Sequence, residues 1–116
     1  MVGRVVNVTR GDSCYITAQI LDETSNEIYY LSDEDVAYFG VMDANQKFED
    51  ALIKKRLTKE NMAEDGTLLI YFTPSDTVEL IPGVYWYSLK LHKIKKDAKI
   101  DRVETIVANT KFIIND

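Results

Sequence analysis

The sequence is short of the residues from which many active sites are built. It has one cysteine, Cys14, and one histidine, His92, among 116 residues. A single cysteine excludes an intrachain disulfide, which fits a chain folded under reducing conditions. A lone histidine without cysteine or carboxylate partners does not indicate a metal site. Cys14 lies in an alternating apolar segment and is predicted to be a small buried hydrophobe, not a nucleophile.

Phosphate loops and acid–base pairs are also missing. The five glycines are dispersed, so no glycine-rich phosphate cradle is indicated. Neighbouring carboxylates occur at Asp33 and Asp35, but adjacency in sequence is not the separated, facing arrangement that acid–base catalysis requires. The acidic segment 32–35 lacks the ligand spacing and the glycine of a calcium loop. We therefore expect a protein that is not an enzyme and that holds neither a cofactor nor a metal.

Excess positive charge and long apolar runs are lacking as well. The net charge is −5, so the positive field of a nucleic-acid binder is not expected. No apolar run approaches the length of a membrane span. The first residues also lack the basic start and long apolar stretch of a secretion signal. We expect neither nucleic acid nor a membrane as a partner.

What the chain has in quantity is residues that suit pleated, half-buried surfaces. Its length is enough for one domain, and residues 1–116 are interpreted as a single domain. Residues 13–21 and 67–73 alternate in hydrophobicity, which predicts two half-buried strands. Residues 36–42 are apolar on both faces and predict a central strand. Within a strand predicted from about residue 51, we interpret three basic residues as protection of a sheet edge: Lys54, Lys55 and Arg56.

The segment 74–91 combines a helical turn, a corner and a long strand. Pro74 starts the turn, predicted near 74–80, because proline is tolerated where the first amides need no helical partner. Pro82 and Gly83 end the turn. Three residues of this region are expected to close over the end of the core: Val78, Leu80 and Ile81. In the strand, the predicted core face is Tyr85, Tyr87, Leu89 and Leu91, and the opposite face is Val84, Trp86, Ser88, Lys90 and His92.

Short strands with turn signals at near-regular spacing predict an all-β fold. We expect a single antiparallel immunoglobulin-like β-sandwich of about seven to eight strands, with the short helical turn near 74–80. In such folds a tyrosine hydroxyl ties the sixth strand back to the preceding turn. Tyr85 is the first candidate for that bond and Tyr87 the second. The Cys–Trp–Cys set of antibody domains is absent, so the antibody subtype is not predicted.

The segment 66–87, GTLLIYFTPSDTVELIPGVYWY, resembles small immunoglobulin-like domains of tailed bacteriophages and prophages. It is most similar to the N-terminal domain of the phage baseplate upper protein family, in which a strand ends in a proline and an Asp-Thr turn follows. A leucine, a glycine and a Tyr-x-Tyr strand complete the family pattern. The matching residues here are Pro74, Asp76, Thr77, Leu80, Gly83, Tyr85 and Tyr87. The closing hairpin, 101–112, is also similar, whereas the first half of the chain matches only by pattern.

This resemblance implies a non-enzymatic virion structural protein of the tail or baseplate type. Such a protein is made in the cytoplasm of the bacterial host and becomes a component of the virion. Its partners are expected to be other virion proteins or copies of itself, with a homo-oligomeric arrangement in the assembly. Strand edges and loop ends are the parts expected to make repeated contacts.

Two features near the long strand are candidate interaction sites. Trp86 is either an aromatic at a partner or sugar surface or a side chain covered by a neighbouring strand or the segment 48–57. A basic hairpin tip follows, beside His92, and is either a docking knob for an acidic neighbour or a solvated loop. The interaction candidates are Trp86, His92, Lys95, Lys96 and Lys99. The alternative function is a carbohydrate-binding module that uses Trp86 and nearby tyrosines as a stacking surface.

Overall fold

A computed structural model describes residues 4–22, 25–93 and 102–116. In these ranges the chain forms seven strands and short helical turns, so the prediction of an all-β fold is confirmed. The strands are β1 Val6–Thr9, β2 Cys14–Gln19, β3 Val36–Met42, β4 Ile53–Leu57, β5 Thr67–Phe72, β6 Gly83–Lys93 and β7 Arg102–Asn115. The helical turns are α1 Pro74–Thr77 and two 3-10 turns, Phe48–Asp50 and Lys59–Asn61.

The strands are arranged in two sheets. The larger has the order β1-β7-β6-β3-β4, and the smaller consists of β2 and β5. β3 lies between β6 and β4, which confirms that it is a central strand. β1, however, runs parallel to β7, with Val6 opposite Phe112, so the larger sheet is mixed. The prediction of a purely antiparallel arrangement is therefore wrong at β1, because the partner of this first strand is the last one and the local pattern carries no sign of their relative direction.

The core lies between the two sheets, where their inward side chains form one buried cluster. At its centre Phe39 of β3 meets Phe72 of β5 edge-on, with ring centroids 5.7 Å apart, and stacks on Tyr87 of β6 at 5.3 Å. Such offset and edge-on contacts are the favoured geometries of aromatic pairs. The predicted core face of β6 is confirmed, since its four residues are all buried: Tyr85, Tyr87, Leu89 and Leu91.

The end of the core below α1 is closed by one side chain of the three that were predicted. Leu80 is half-buried and packs against the core, whereas Val78 and Ile81 are 50% and 79% exposed. The helix ends at Thr77, and the chain then turns with the Leu80 amide donating to the Thr77 carbonyl at 2.9 Å. That turn directs only Leu80 inward, so the expectation for the other two was wrong.

β4 forms one edge of the larger sheet, and its basic residues divide between the two faces. Lys54 and Arg56 are exposed on the outer face, as an edge-protecting role predicts. Lys55 lies on the inner face, where its Nζ is 2.7 Å from an Asp76 carboxylate oxygen and 5.4 Å from the ring centroid of Phe72. An inward-pointing charge of this kind also discourages pairing at a sheet edge.

Candidate interaction surface

The corner before β6 is held by a tyrosine hydroxyl. Tyr85 donates its hydroxyl to the Ile81 carbonyl at 2.6 Å, which is the bond predicted for this residue. Between them lie Pro82 and Gly83, and Gly83 has a φ of +155°, a backbone conformation that other residues rarely adopt. Tyr87 has a different function, because its hydroxyl donates to the Arg4 carbonyl at 2.6 Å and so ties β6 to the chain before β1. Both rings are buried, which leaves them unavailable to a partner.

Trp86 lies on the outer face of the larger sheet and is half-buried. It is opposite Met42 of β3 and Lys111 of β7. The indole lines a hollow of about 210 Å³ whose other walls are Met42, Asp43, Ala44, Gln46 and Asn109. The segment 48–57, one of the two predicted covers for Trp86, contributes no residue to this hollow.

Two amides in the wall of this hollow have their oxygens engaged. The Gln46 Oε1 accepts from the Asp43 amide at 2.9 Å, and the Asn109 Oδ1 accepts from the Ser88 hydroxyl at 2.7 Å. Each side chain therefore keeps its NH₂ group as a donor. A tryptophan with nearby amide donors can meet hydroxyl-bearing ligands.

The 3-10 turn at Phe48–Asp50 covers a different part of the outer face. Its Phe48 ring lies against Gly40, so close that a Cβ built on that glycine would be 2.7 Å from a ring carbon. Lys90 places its Nζ 4.6 Å from the same ring centroid, a cation–π contact. The middle of the larger sheet is thus covered by a loop of the chain itself.

His92 packs on the outer face of the sheet. It is half-buried, and its imidazole meets the Tyr38 ring edge-on with centroids 4.9 Å apart. In the described part of the chain no group of three or more potential metal ligands comes together. The other candidates, Lys95, Lys96 and Lys99, lie outside the described residues, so a docking knob at the hairpin tip stays a prediction.

The most exposed aromatic surface is on the smaller sheet, and sequence reasoning did not single it out. Tyr15 of β2 is 65% exposed and Tyr71 of β5 is 44% exposed. They are direct cross-strand neighbours, with ring centroids 4.9 Å apart and planes tilted by 43°. Leu69, 40% exposed, lies opposite Thr17 on the same face. We call this set, Tyr15, Thr17, Leu69 and Tyr71, the tyrosine face.

The sequence contained part of the signal for the tyrosine face. Alternation placed Tyr15 and Thr17 on one face of β2, and Leu69 and Tyr71 on one face of β5. What it could not provide was the pairing of these two strands, which brings the two tyrosines together. No charged residue occurs in either strand, although 28% of the chain is charged.

Two carboxylates fix the loops around these sheets. Asp76 accepts from Lys55 and from the Thr73 amide, at 2.7 and 2.8 Å. Burial acts to raise the pKa of the Asp76 carboxyl, but these hydrogen bonds and the Lys55 charge outweigh it and hold the pKa below its ordinary value. Asp35 is buried and accepts from the Tyr29 hydroxyl and from the Ser32 amide. Burial, and then the bond to Asp35, raise the pKa of Tyr29 far above its ordinary value, which keeps the phenol protonated as a donor.

Cys14 offers little nucleophilic reactivity. It is half-buried and packs against the core, close to the predicted role of a small hydrophobe. Burial raises the pKa of its thiol, and the negative charges of Asp12 and Asp76 raise it further. Because the thiolate is the reactive form, these surroundings disfavour nucleophilic chemistry.

No family model, curated protein or solved structure matches this chain. Among the residues that the structure describes, no helix is long and apolar enough to cross a membrane.

Proposed function

We propose that this chain is a non-enzymatic structural protein of a phage or prophage virion, and that it acts by binding other virion proteins or copies of itself. The tyrosine face is the observation that supports binding to another protein surface, and the virion role rests on the resemblance of the segment 66–87. Tyrosine presents a large, rigid surface with an apolar body and a polar tip, and it is enriched at protein–protein hot spots. Exposed apolar patches on folded proteins mark interaction sites and ligand-binding grooves.

The proposal includes an immunoglobulin-like fold. In such domains strands B and E are neighbours in one sheet, and the other sheet has the order G-F-C, to which C′ is added in variable-type domains. Assigning β2 and β5 to B and E, and β7, β6, β3 and β4 to G, F, C and C′, reproduces these neighbours. The Tyr85–Ile81 hydrogen bond at the start of the sixth strand supports the same assignment.

Mass spectrometry of purified particles tests the virion role. We expect the chain to be a stoichiometric component of particles made by the phage or induced prophage that encodes it. The Tyr15→Ser, Tyr71→Ser double variant should fold but enter particles poorly, because it removes the two most exposed rings of the tyrosine face. Tyr30→Ser is the matched control, since Tyr30 is 55% exposed and lies outside that face. Particles that lack the wild-type chain would contradict the proposal.

A carbohydrate-binding module is the second candidate, and the hollow at Trp86 favours it. Half-buried Trp86 lines this hollow together with Gln46 and Asn109, whose amide groups can donate to sugar hydroxyls. A glycan array with the wild-type chain and with Trp86→Ala tests this function. Binding that is lost in Trp86→Ala and retained in Tyr15→Ser supports a sugar site at this hollow. An array without any binding glycan rejects it.

A further inference from the structure

We propose that the free edge of β2 pairs with the β2 edge of a second copy of this chain. The two strands run antiparallel about a twofold axis at Thr17, so that two small sheets join into one continuous sheet. This inference goes beyond the proposed function, because it requires no virion and holds for any assembly in which the chain takes part. It rests on three observations: an unguarded edge, an open cleft beside it, and a self-complementary strand.

The edge of β2 that faces away from β5 has no strand partner among the described residues. Exposed edges are normally guarded by charge, by short length or by a covering segment. The chain uses such devices elsewhere: β4 carries lysines and an arginine, β1 has four residues, and Met62 bridges to Leu68 on the far edge of β5. β2 has six residues, none of them charged.

A cleft of about 340 Å³ opens beside this edge, between β2 and the β1–β7 side of the larger sheet. Its walls include Ile16 and Ala18 of β2, with Val6, Leu89 and Val107 across from them. The inward residues of the two small-sheet strands differ in consequence. The inward residues of β5 are fully buried: Leu68, Ile70 and Phe72. The inward residues of β2 are half-exposed: Cys14, Ile16 and Ala18. A strand added at the β2 edge would cover these half-exposed side chains.

β2 itself fits this position. Directly opposed residues in an antiparallel pair point to the same face, so a β2–β2 pair must be centred on a residue. Centring on Thr17 places Ile16 of each copy opposite Ala18 of the other, a large side chain against a small one, on the inner face. On the outer face Tyr15 meets Gln19. Centring on Ile16 would instead place two isoleucines directly against each other on the inner face.

The charge distribution is compatible with a second copy and gives the pair a distinctive salt response. The net charge of −5 opposes self-association, but none of it lies on the paired strand. Salt screens the long-range repulsion, so the affinity of the two copies should rise with ionic strength. A basic foreign partner at this edge would show the opposite trend.

Disulfide trapping tests the register. In a Cys14→Ser background, Thr17→Cys puts two cysteines opposite each other on the axis, where Cα atoms of antiparallel neighbours are about 4.5–5.5 Å apart and can form a disulfide. Thr9→Cys in the same background is the control, because Thr9 is also exposed, on a strand at the other sheet's edge. We expect the Thr17→Cys dimer to form at least about tenfold faster, since pairing raises the effective thiol concentration. Equal rates for the two variants would overturn the proposed register.

Sedimentation of the full chain tests the pair without a cross-link. The wild type should shift from monomer to dimer across the micromolar range, and more readily at high salt. Thr17→Lys should stay monomeric, because it brings two like charges together at the axis, whereas Thr9→Lys should behave as wild type. A wild type that stays monomeric, or a dimer that survives Thr17→Lys, overturns the proposal. A monomer found in virions contradicts only this inference, and a dimer absent from virions contradicts only the virion role.

Discussion

Replacing Tyr85 with phenylalanine tests whether the corner before β6 stabilises the fold. The change removes one hydroxyl and leaves the ring, which is 8% exposed, in place. The lost interaction is the 2.6 Å hydrogen bond to the Ile81 carbonyl. A typical intramolecular hydrogen bond contributes about 1 kcal/mol net to stability. Ile81 is 79% exposed, so water can reach its carbonyl and the larger penalty of a buried, unsatisfied acceptor does not arise.

We therefore expect Tyr85→Phe to lower the free energy of unfolding by about 1 kcal/mol. With a urea m-value of about 1.5 kcal/mol/M, the midpoint of unfolding should fall by about 0.7 M, with an unchanged slope. The fluorescence of Trp86 and far-ultraviolet circular dichroism should report the same transition, as two-state unfolding requires.

Tyr15→Phe is the matched control for this measurement. It removes a hydroxyl from a ring that is 65% exposed and for which no hydrogen bond is present in the described residues. We expect a change within about 0.5 kcal/mol, as for most surface substitutions. If the midpoints of Tyr85→Phe and Tyr15→Phe coincide, the hydroxyl does not stabilise the corner, and the argument for Tyr85 as its anchor is refuted.

Two further predictions concern the ion pair and the covered glycine. Asp76→Asn should lower the free energy of unfolding by about 1 kcal/mol at neutral pH. The pKa of Asp76 in the folded protein lies below its ordinary value of 3.8, so the stability that its carboxylate contributes is present above pH 3.8 and is lost as the pH falls through the folded pKa. The urea midpoints of the wild type and the variant should therefore converge in acid. Midpoints that already coincide above pH 5 would contradict a lowered pKa of Asp76. Gly40→Ala should cost about 1–2 kcal/mol, because the new methyl group displaces the Phe48 ring. The cost should shrink in a Phe48→Ala background, and a double-mutant cycle without coupling would contradict the contact.

The sequence predicted those features of the fold that depend on neighbours along the chain. The alternation of β5 predicted a half-buried strand, and in the structure Leu68 and Phe72 share its buried face, because the two faces of a strand are encoded in its period of two. The bond of Tyr85 was predictable for a related reason, since donor and acceptor are four residues apart at a corner marked by proline and glycine.

Features that depend on distant pairing were not predictable. The parallel pairing of Val6 with Phe112 joins opposite ends of the chain, and nothing in the local pattern of β1 specifies it. Lys55 was predicted as one of three edge charges, but it shares the inner face of β4 with Ile53 and Leu57. There it pairs with Asp76, which is 21 residues away in the sequence. The tyrosine face is the same case, because Tyr15 and Tyr71 become neighbours only through the register of β2 with β5.

The two outer faces of the protein differ in a way that bears on function. On the larger sheet the chain covers its own apolar surface, with Phe48 over Gly40 and Lys90 over Phe48. On the smaller sheet Tyr15 and Tyr71 remain exposed. The cross-strand pair of rings contributes to the stability of the sheet, but charged side chains on the same face would keep the protein more soluble. We therefore expect another protein surface to cover the tyrosine face in an assembled state, whereas pairing through the β2 edge would lengthen this face without covering it.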